Sequence, residues 1–509
     1  MDDESIVRKG IRIIGIWTIK AFDTIRLKSS EIPMLIHELV EGLKHSRRVF
    51  LKIEYSKHNT TKNALAKCVK VSILLCYRDE SIFFSSSAMH SLLLYNIGHL
   101  ATPQSQEDTP QHRNKTYRLS GAAMGNIHTD QNVALLIENG TITRIGDSAT
   151  LEREVRADKR FDAKGMTALP GFVDSHTHTI FGGNRANEFA MRSAGRTYQD
   201  IAAAGGGILS TMNATRSATH EELLAIGRKR LDAMLRHGTT TVEIKSGYGL
   251  DTASDLKILE VIQELAQTHP MTIVPTFLGA HAFPPEFREK RDQYIELVCQ
   301  EMLPMVKERG LAVFCDIFCE QNYFSVEQSE HILNTARELG FALKLHADQL
   351  SASGASELGV RLGAVSVDHL ECTTASGIRA IASSATIATA LPGASLFLNH
   401  PYPPVRDIIN AGAAVALATD FNPGSSMTFS MPMMMTLAAT QMRMTPEEAL
   451  TASTLNGAAA LCLAHERGSL EVGKRADILL SEVSHFYEVS YHFGMNHIVH
   501  VIKDGKVIV

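Results

Sequence analysis

Between Thr167 and Leu463 the chain repeats one pattern: a short apolar β run, a polar loop, then in several cases a stretch with helical periodicity. Eight strand candidates can be marked: Thr167–His176, Thr239–Glu243, Ile273–Leu278, Val313–Phe318, Leu343–His346, Val365–His369, Thr386–Leu391 and Ala414–Asp420. Amphipathic segments Glu221–Arg236, Ala253–Thr268, Val326–Leu339 and Pro446–Leu455 separate several of them. Thr445-Pro446-Glu447-Glu448 reads as a helix start, with a cap, Pro at the first position and acids in the first turn. Eight βα units over roughly 300 residues is the arithmetic of an α/β fold of the closed (β/α)8, TIM-like kind. In such a barrel, chemistry gathers at the carboxyl ends of the strands.

The flanks read differently. Val133–Arg144 holds two β runs around Asn139-Gly140, the strongest short hairpin signal, and Val499–Val509 repeats it around Asp504-Gly505. A strand over His90–Pro103 and another over Ala476–Leu480 complete two β-rich segments, and a small β-sandwich built from both flanks of the barrel is expected. The expected organisation is therefore 1–88 as an appended segment, 89–166 and 464–509 as the two parts of the sandwich, and 167–463 as the barrel. No motif ties residues 1–88 together, and Met89 reads as a second, natural start.

Composition narrows the class. Apolar residues make up 44% and charged residues 21% of 509, as in ordinary globular proteins. No run approaches the ~18 apolar residues that a membrane span needs. Seven cysteines at irregular spacing do not form a disulfide framework, so a cytoplasmic protein with reduced thiols is expected. Residues 1–88 hold 15 Lys and Arg against 10 Asp and Glu, and the rest hold 35 against 45. A main body that acidic argues against nucleic acid as a partner.

The strand ends carry the chemistry. Asp174-Ser175-His176-Thr177-His178 ends the first strand, and residues i and i+2 of an extended chain point the same way. His176 and His178 can thus offer two imidazoles to one ion. Lys344-Leu345-His346, Asp368-His369 and Thr419-Asp420 end the fifth, sixth and eighth strands. A buried imidazole or carboxylate there is costly unless paired or coordinated. Three histidines and one carboxylate suit a divalent ion that keeps a position open for water.

These stretches resemble the imidazolonepropionase family of the amidohydrolase superfamily. The resemblance rests on PGFVDSHTHTIFGGNRANEF (170–189), AAGGGILSTMNATR (203–216), GTTTVEIKSGYGL (238–250), TFLGAHAFP (276–284), KLHADQ (344–349), SVDHLE (366–371) and ALATDFNPGS (416–425), and covers about Met89–Val509. HxH with a barrel marks only the superfamily, whereas FGGNRANEF with KSGYGL and TDFNPG is specific to this member. The family implies one zinc or iron ion per chain on His176, His178, His346 and Asp420. It implies that Asp420 also takes the proton of the metal-activated water, and that His369 bonds the attacked carbonyl or shuttles a proton. Arg185 would bind the substrate's propionate in a two-pronged contact. Tyr248 and His281 would contact the ring, while Asn422, Gly424 and Ser425 would donate to the carboxylate from a loop that enters a helix. The implied reaction opens the cyclic amide of 4-imidazolone-5-propanoate to N-formimidoyl-L-glutamate. A homodimer with no membrane partner completes the expectation. Residues 1–88 have no counterpart in the family.

Gln349 stands where many amidohydrolases carry a proton-shuttling Glu; an amide can only hydrogen-bond. It is expected as a substrate contact, and it argues against the rival reading, a ring deaminase that relies on that acid. A non-catalytic barrel scaffold is the other rival, opposed by the complete ligand set. The weaker signals take plain readings. Gly205-Gly206-Gly207 lacks the surroundings of a nucleotide loop and reads as a flexible active-site loop. Cys315 and Cys319 read as buried inert thiols, Met431–Met435 as the opening of a core helix, and Lys245 as an ordinary lysine, not a carboxylated metal bridge.

Overall fold

The computed structural model describes residues 50–55, 69–74, 90–104, 117–196 and 206–509. The chain divides into two compact units, Met1–Ser87 and Ala88–Val509. In the first, an antiparallel pair joins Phe50–Tyr55 to Val69–Leu74; the other expectations for residues 1–88 lie outside the described residues.

The second unit is built on eight parallel strands: β1 (Phe172–Asp174), β2 (Thr239–Lys245), β3 (Thr272–Ala280), β4 (Phe314–Cys319), β5 (Ala342–Ala347), β6 (Ser366–His369), β7 (Ile387–Ala390) and β8 (Val415–Leu417). Each pairs with its successor, in sequence order. The ring closes just beyond the last strand, where Thr177 and Phe421 form a parallel bridge. There the Asp420 N–H donates to the His176 carbonyl at 3.1 Å and the His178 N–H to the Phe421 carbonyl at 3.0 Å. The seam of the barrel therefore passes between the expected ligands.

Helices cover the outside, and their sequence signals are the ones the strands require. The helix Thr252–Thr268 starts at Asp251, whose carboxylate accepts the Ser254 N–H at 2.7 Å. Its Leu256, Leu259, Ile262 and Leu265 are buried in the main core, each contributing about 1.5–3 kcal/mol by leaving water. The helix Pro446–Ser453 opens at the expected cap Thr445, which forms a capping box with Glu448. Met431, Met434 and Met435 are buried in the helix Met431–Met442.

A second sheet joins both flanks of the barrel. Its path runs Lys506–Val507, Ile498–Lys503, Ile478–Ser481, Thr167–Pro170, Ser91–Pro103, Ile127–Glu138 and Thr141–Asp147, with Lys159–Asp162 also pairing to Ser91–Pro103. Leu94, Ile97, Val133, Leu135, Ile478 and Leu480 form its own core. Both turns fit their signals: Asn139 and Gly140 have φ of 51° and 79°, Asp504 and Gly505 49° and 74°.

One expected strand is two. Thr167–Pro170 belongs to this second sheet, paired with Ile478–Ser481, and β1 begins only at Phe172. The break is at Gly171, whose N–H donates to the Asp477 carbonyl at 2.9 Å. A Cβ there would lie 2.2 Å from Thr240 Oγ1, so only glycine lets the chain pass so close to β2 as it changes sheets. Among the described residues, no helix is long and apolar enough to cross a membrane.

Candidate metal centre and active site

Strand alternation stacks the polar residues inside the barrel mouth. Asp174, His176 and His178 follow one face of β1 and its extension, Glu243 and Lys245 one face of β2, and Lys344 and His346 one face of β5. His176, His178, His346, His369 and Asp420 are all at most 3% exposed.

Four of these groups converge. His176 Nε2 and His178 Nε2 each lie 3.6 Å from Asp420 Oδ1, and His346 Nε2 lies 3.4 Å from His178 Nε2. A tetrahedral set with arms of about 2.1 Å has edges of about 3.4 Å, so the spacing fits one ion. His176 Nε2 is buried without a hydrogen-bond partner, a cost that a ligand would relieve. For two of them the remaining nitrogen fixes the tautomer: His176 Nδ1 is 2.7 Å from Asp368 Oδ2 and His346 Nδ1 is 3.2 Å from Asp316 Oδ1. Carboxylates in that place keep the proton on Nδ1 and leave Nε2 as a donor of electrons. Burial drives His176 and His178 well below the usual imidazole pKa and lowers His346. All three are therefore neutral at pH 7, the form a metal requires.

Two residues here are held in unusual backbone conformations. Asp420 has φ of 50° and His369 of 84°, conformations that cost about 1–3 kcal/mol each outside glycine and gather at functional positions. Burial pushes the Asp420 carboxyl up to about 6, against the pull of His369 and the bonds from Ser425 and Asn422. For His369 burial acts the other way, but Glu371, 3.5 Å from Nδ1, and Asp420 outweigh it and leave the pKa above the usual value.

A cavity opens over this cluster, lined by His178, His346, His369 and Asp420 below and by Tyr248, His281, Phe318, Gln349, Asn422 and Ser425 around it. His281 Nδ1 donates to the Gly247 carbonyl at 2.9 Å, which leaves Nε2 as an acceptor, and burial lowers its pKa to about 3. Its ring stacks on His178 with centroids 5.1 Å apart. Tyr248 sits on a loop pinned by Asp255, whose carboxylate accepts the N–H groups of Gly247, Gly249 and Leu250.

Arg185 and Gly424 lie outside that lining but next to one another. Arg185 Nε donates to Thr211 Oγ1 at 2.8 Å, and a Cβ on Gly424 would lie 2.5 Å from Arg185 Nη1. The loop after β8 departs from its expected form. Asn422 Oδ1 accepts the N–H groups of Gly424 and Ser425 at 2.8 and 2.9 Å, and Ser425 Oγ donates to Asp420 Oδ2 at 3.1 Å. The next helix begins only at Met431, capped by Ser430. The helix start expected to hold an anion at this loop is thus absent, and the loop's bonds instead steady Asp420.

Sequence reasoning missed Phe318, the apolar wall of the cavity, and gave no role to Asp316, Asp368 and Glu371. The signal for Asp316 was present: one carboxylate inside the apolar run Phe314–Cys319. Lys245 is an ammonium between two carboxylates, 2.6 Å from Glu243 Oε1 and 2.7 Å from Asp316 Oδ2; a carboxylated lysine would be repelled by both. Cys315 and Cys319 are buried, and burial raises both thiols. Of the three glycines, Gly205 lies outside the described residues.

Comparison with known proteins shows the family. Residues 167–508 match the amidohydrolase family. An imidazolonepropionase of Thermoanaerobacter pseudethanolicus is 46% identical over 412 residues, 81% of this chain and 96% of the relative. The chain belongs to the imidazolonepropionase family. A second member, from Caldanaerobacter subterraneus subsp. tengcongensis, is 47% identical over the same shares of both chains. Solved amidohydrolase structures share the fold at much lower identity. A triazine hydrolase from Arthobacter aurescens gives a TM-score of 0.63 at 18% identity, covering 82% of this chain and 95% of its own. An E. coli guanine deaminase gives 0.59 at 16%, covering 83% and 99%. Within the imidazolonepropionase family, then, the barrel mouth described above is where function is to be sought.

Proposed function

We propose that the protein is a hydrolase that opens the cyclic amide of 4-imidazolone-5-propanoate, giving N-formimidoyl-L-glutamate in histidine degradation. The observation that carries the reading is the convergence of His176, His178, His346 and Asp420 beneath a cavity walled by Tyr248, His281 and Gln349. One zinc or iron ion on these four residues is part of the reading, because neutral imidazoles and a carboxylate suit both metals. When bound, such an ion supplies Lewis-acid chemistry that brings the pKa of water toward about 7.

The chain's own groups do the rest. Asp420, steadied by Ser425, accepts one proton of the attacking water as its oxygen bonds to the ring carbonyl carbon. His369, with Nδ1 toward Glu371, presents Nε2 to the carbonyl oxygen as negative charge develops there. The C–N bond then breaks, the new carboxyl stays on the carbon, and the proton held by Asp420 passes to the departing ring nitrogen. Tyr248, His281 and Gln349 orient the ring by hydrogen bonding. Arg185 takes the propionate, with Gly424 beside it and with Asn422 and Ser425 of the cavity wall as further contacts. The reading includes a homodimer, for which the exposed Tyr491, Phe493 and Met495 offer apolar surface, and a cytoplasmic location.

The test is ultraviolet loss of imidazolonepropionate by the purified protein, with and without a chelator. Loss that stops on chelation and returns with zinc or iron supports the reading. No loss by protein loaded with either metal refutes it.

A further inference from the structure

Beneath the four ligands lies a second layer of charge that the reaction does not use. Glu243, Lys245, Asp316, Lys344 and Asp368 are all 0% exposed. Lys344 Nζ donates to Ser366 Oγ at 2.6 Å and lies 3.6 Å from Asp368 Oδ2. Lys245 Nζ is clamped between Glu243 and Asp316. Asp368 and Asp316 in turn hold His176 and His346 by their Nδ1 atoms.

Two features of this layer belong together. Asp316 and Asp368, the carboxylates that hold His346 and His176, bring oxygens within 4.8 Å of one another, the makings of a cation place next to the one above it. Asp368 Oδ1 is buried there without a hydrogen-bond partner. Yet Asp316 is already engaged at 2.7 Å by the Lys245 ammonium, which comes from β2 and has no route to solvent. A buried ammonium between two carboxylates is a permanent cation; removing it would leave uncompensated negative charge.

We infer that Lys245 is a positioning residue that serves as a fixed internal cation: it holds Asp316 against His346 and takes the place a second divalent ion would need, so that the centre carries one ion. The inference rests on the metal reading above and deepens it. Removal of the ammonium frees Asp316 to bind a second ion together with the unpartnered Oδ1 of Asp368, and neutralising Asp316 loosens the grip on His346.

The test counts metal in the full-length protein after equilibration with excess zinc, and measures the first ion's affinity by competition with a chelator. The unaltered protein is expected to hold one zinc per chain, Lys245→Ala two, and Lys245→Ala with Asp316→Asn one. Asp316→Asn alone, which keeps the side chain's shape, is expected to weaken the first ion at least tenfold. An unaltered protein that binds no zinc or iron sinks the metal reading itself. If the unaltered protein binds one zinc and a folded Lys245→Ala also binds one, this inference alone is overturned. Should Lys245→Ala not fold, Asp316→Asn decides: an unchanged affinity overturns the inference.

Discussion

At the scale of single residues, the proposed reaction asks Asp420 to be ligand and proton acceptor at once, from a backbone conformation outside the common regions. Asp420→Asn keeps the shape and removes the charge, and turnover is expected to fall about 10²–10⁴-fold; turnover within a factor of two would refute its role. Arg185→Ala is expected to cost about 1.5–3 kcal/mol, read mainly as a higher KM with kcat little changed. An unaltered KM would point away from the propionate. The titration of the metal-free centre has a definite sign. Burial holds His176 and His178 well below the usual imidazole pKa and lowers His346, so all three are neutral near pH 7. The proton of the Asp420 carboxyl, pushed up to about 6, competes with a metal. Metal uptake by stripped protein is therefore expected to be flat above pH 7 and to weaken about tenfold per unit below 6; uptake independent of pH between 5 and 7 would contradict this. The convergence of His176, His178, His346 and Asp420 was legible because a polar side chain that closes an apolar strand is too costly to bury unless it is paired or coordinated. Phe318 was not, because one aromatic in a strand looks the same whether it packs on a helix or walls a cavity.

Among elements, the strands and hairpins were the most readable, since each carried its own punctuation. The error at Thr167–His176 has a clear cause. Nothing in a continuous apolar run says which residues pair with which neighbour, and the sheet changes at one glycine. Gly171→Ala tests this point. The added methyl meets Thr240, a stiff β-branched side chain, and the expected loss is about 1–3 kcal/mol of stability. An unchanged midpoint of thermal unfolding would show that the junction is looser than drawn. The loop after β8 was misread for a related reason. Asn-Pro-Gly-Ser is a sound turn signal, but it does not say whether the N–H groups face a ligand or fold back on Asn422, as they do.

For the whole molecule, the eightfold pattern gave the barrel, and the paired β-rich flanks gave the second sheet. The role of residues 1–88 was not legible, because no motif or periodicity ties them to the rest. Relatives are spanned almost entirely by 412 residues of this chain, so a protein starting at Met89 is expected to be soluble and to bind metal with unaltered stoichiometry. An insoluble product would make the leading segment structural. Metal itself should stabilise the molecule by mass action, by about 4 kcal/mol at a thousandfold excess over Kd, so chelation is expected to lower the unfolding midpoint by several degrees. The junction at Gly171 bears on how the molecule is made. The Thr167 hydroxyl donates to the Val483 carbonyl 316 positions away, and Gly171 is bonded to Asp477. A nascent chain leaves the ribosome with His176 and His178 long before the segment that anchors their strand has been translated. A message truncated ahead of codon 477 would encode all four ligands and still yield a product lacking the frame that holds the first two.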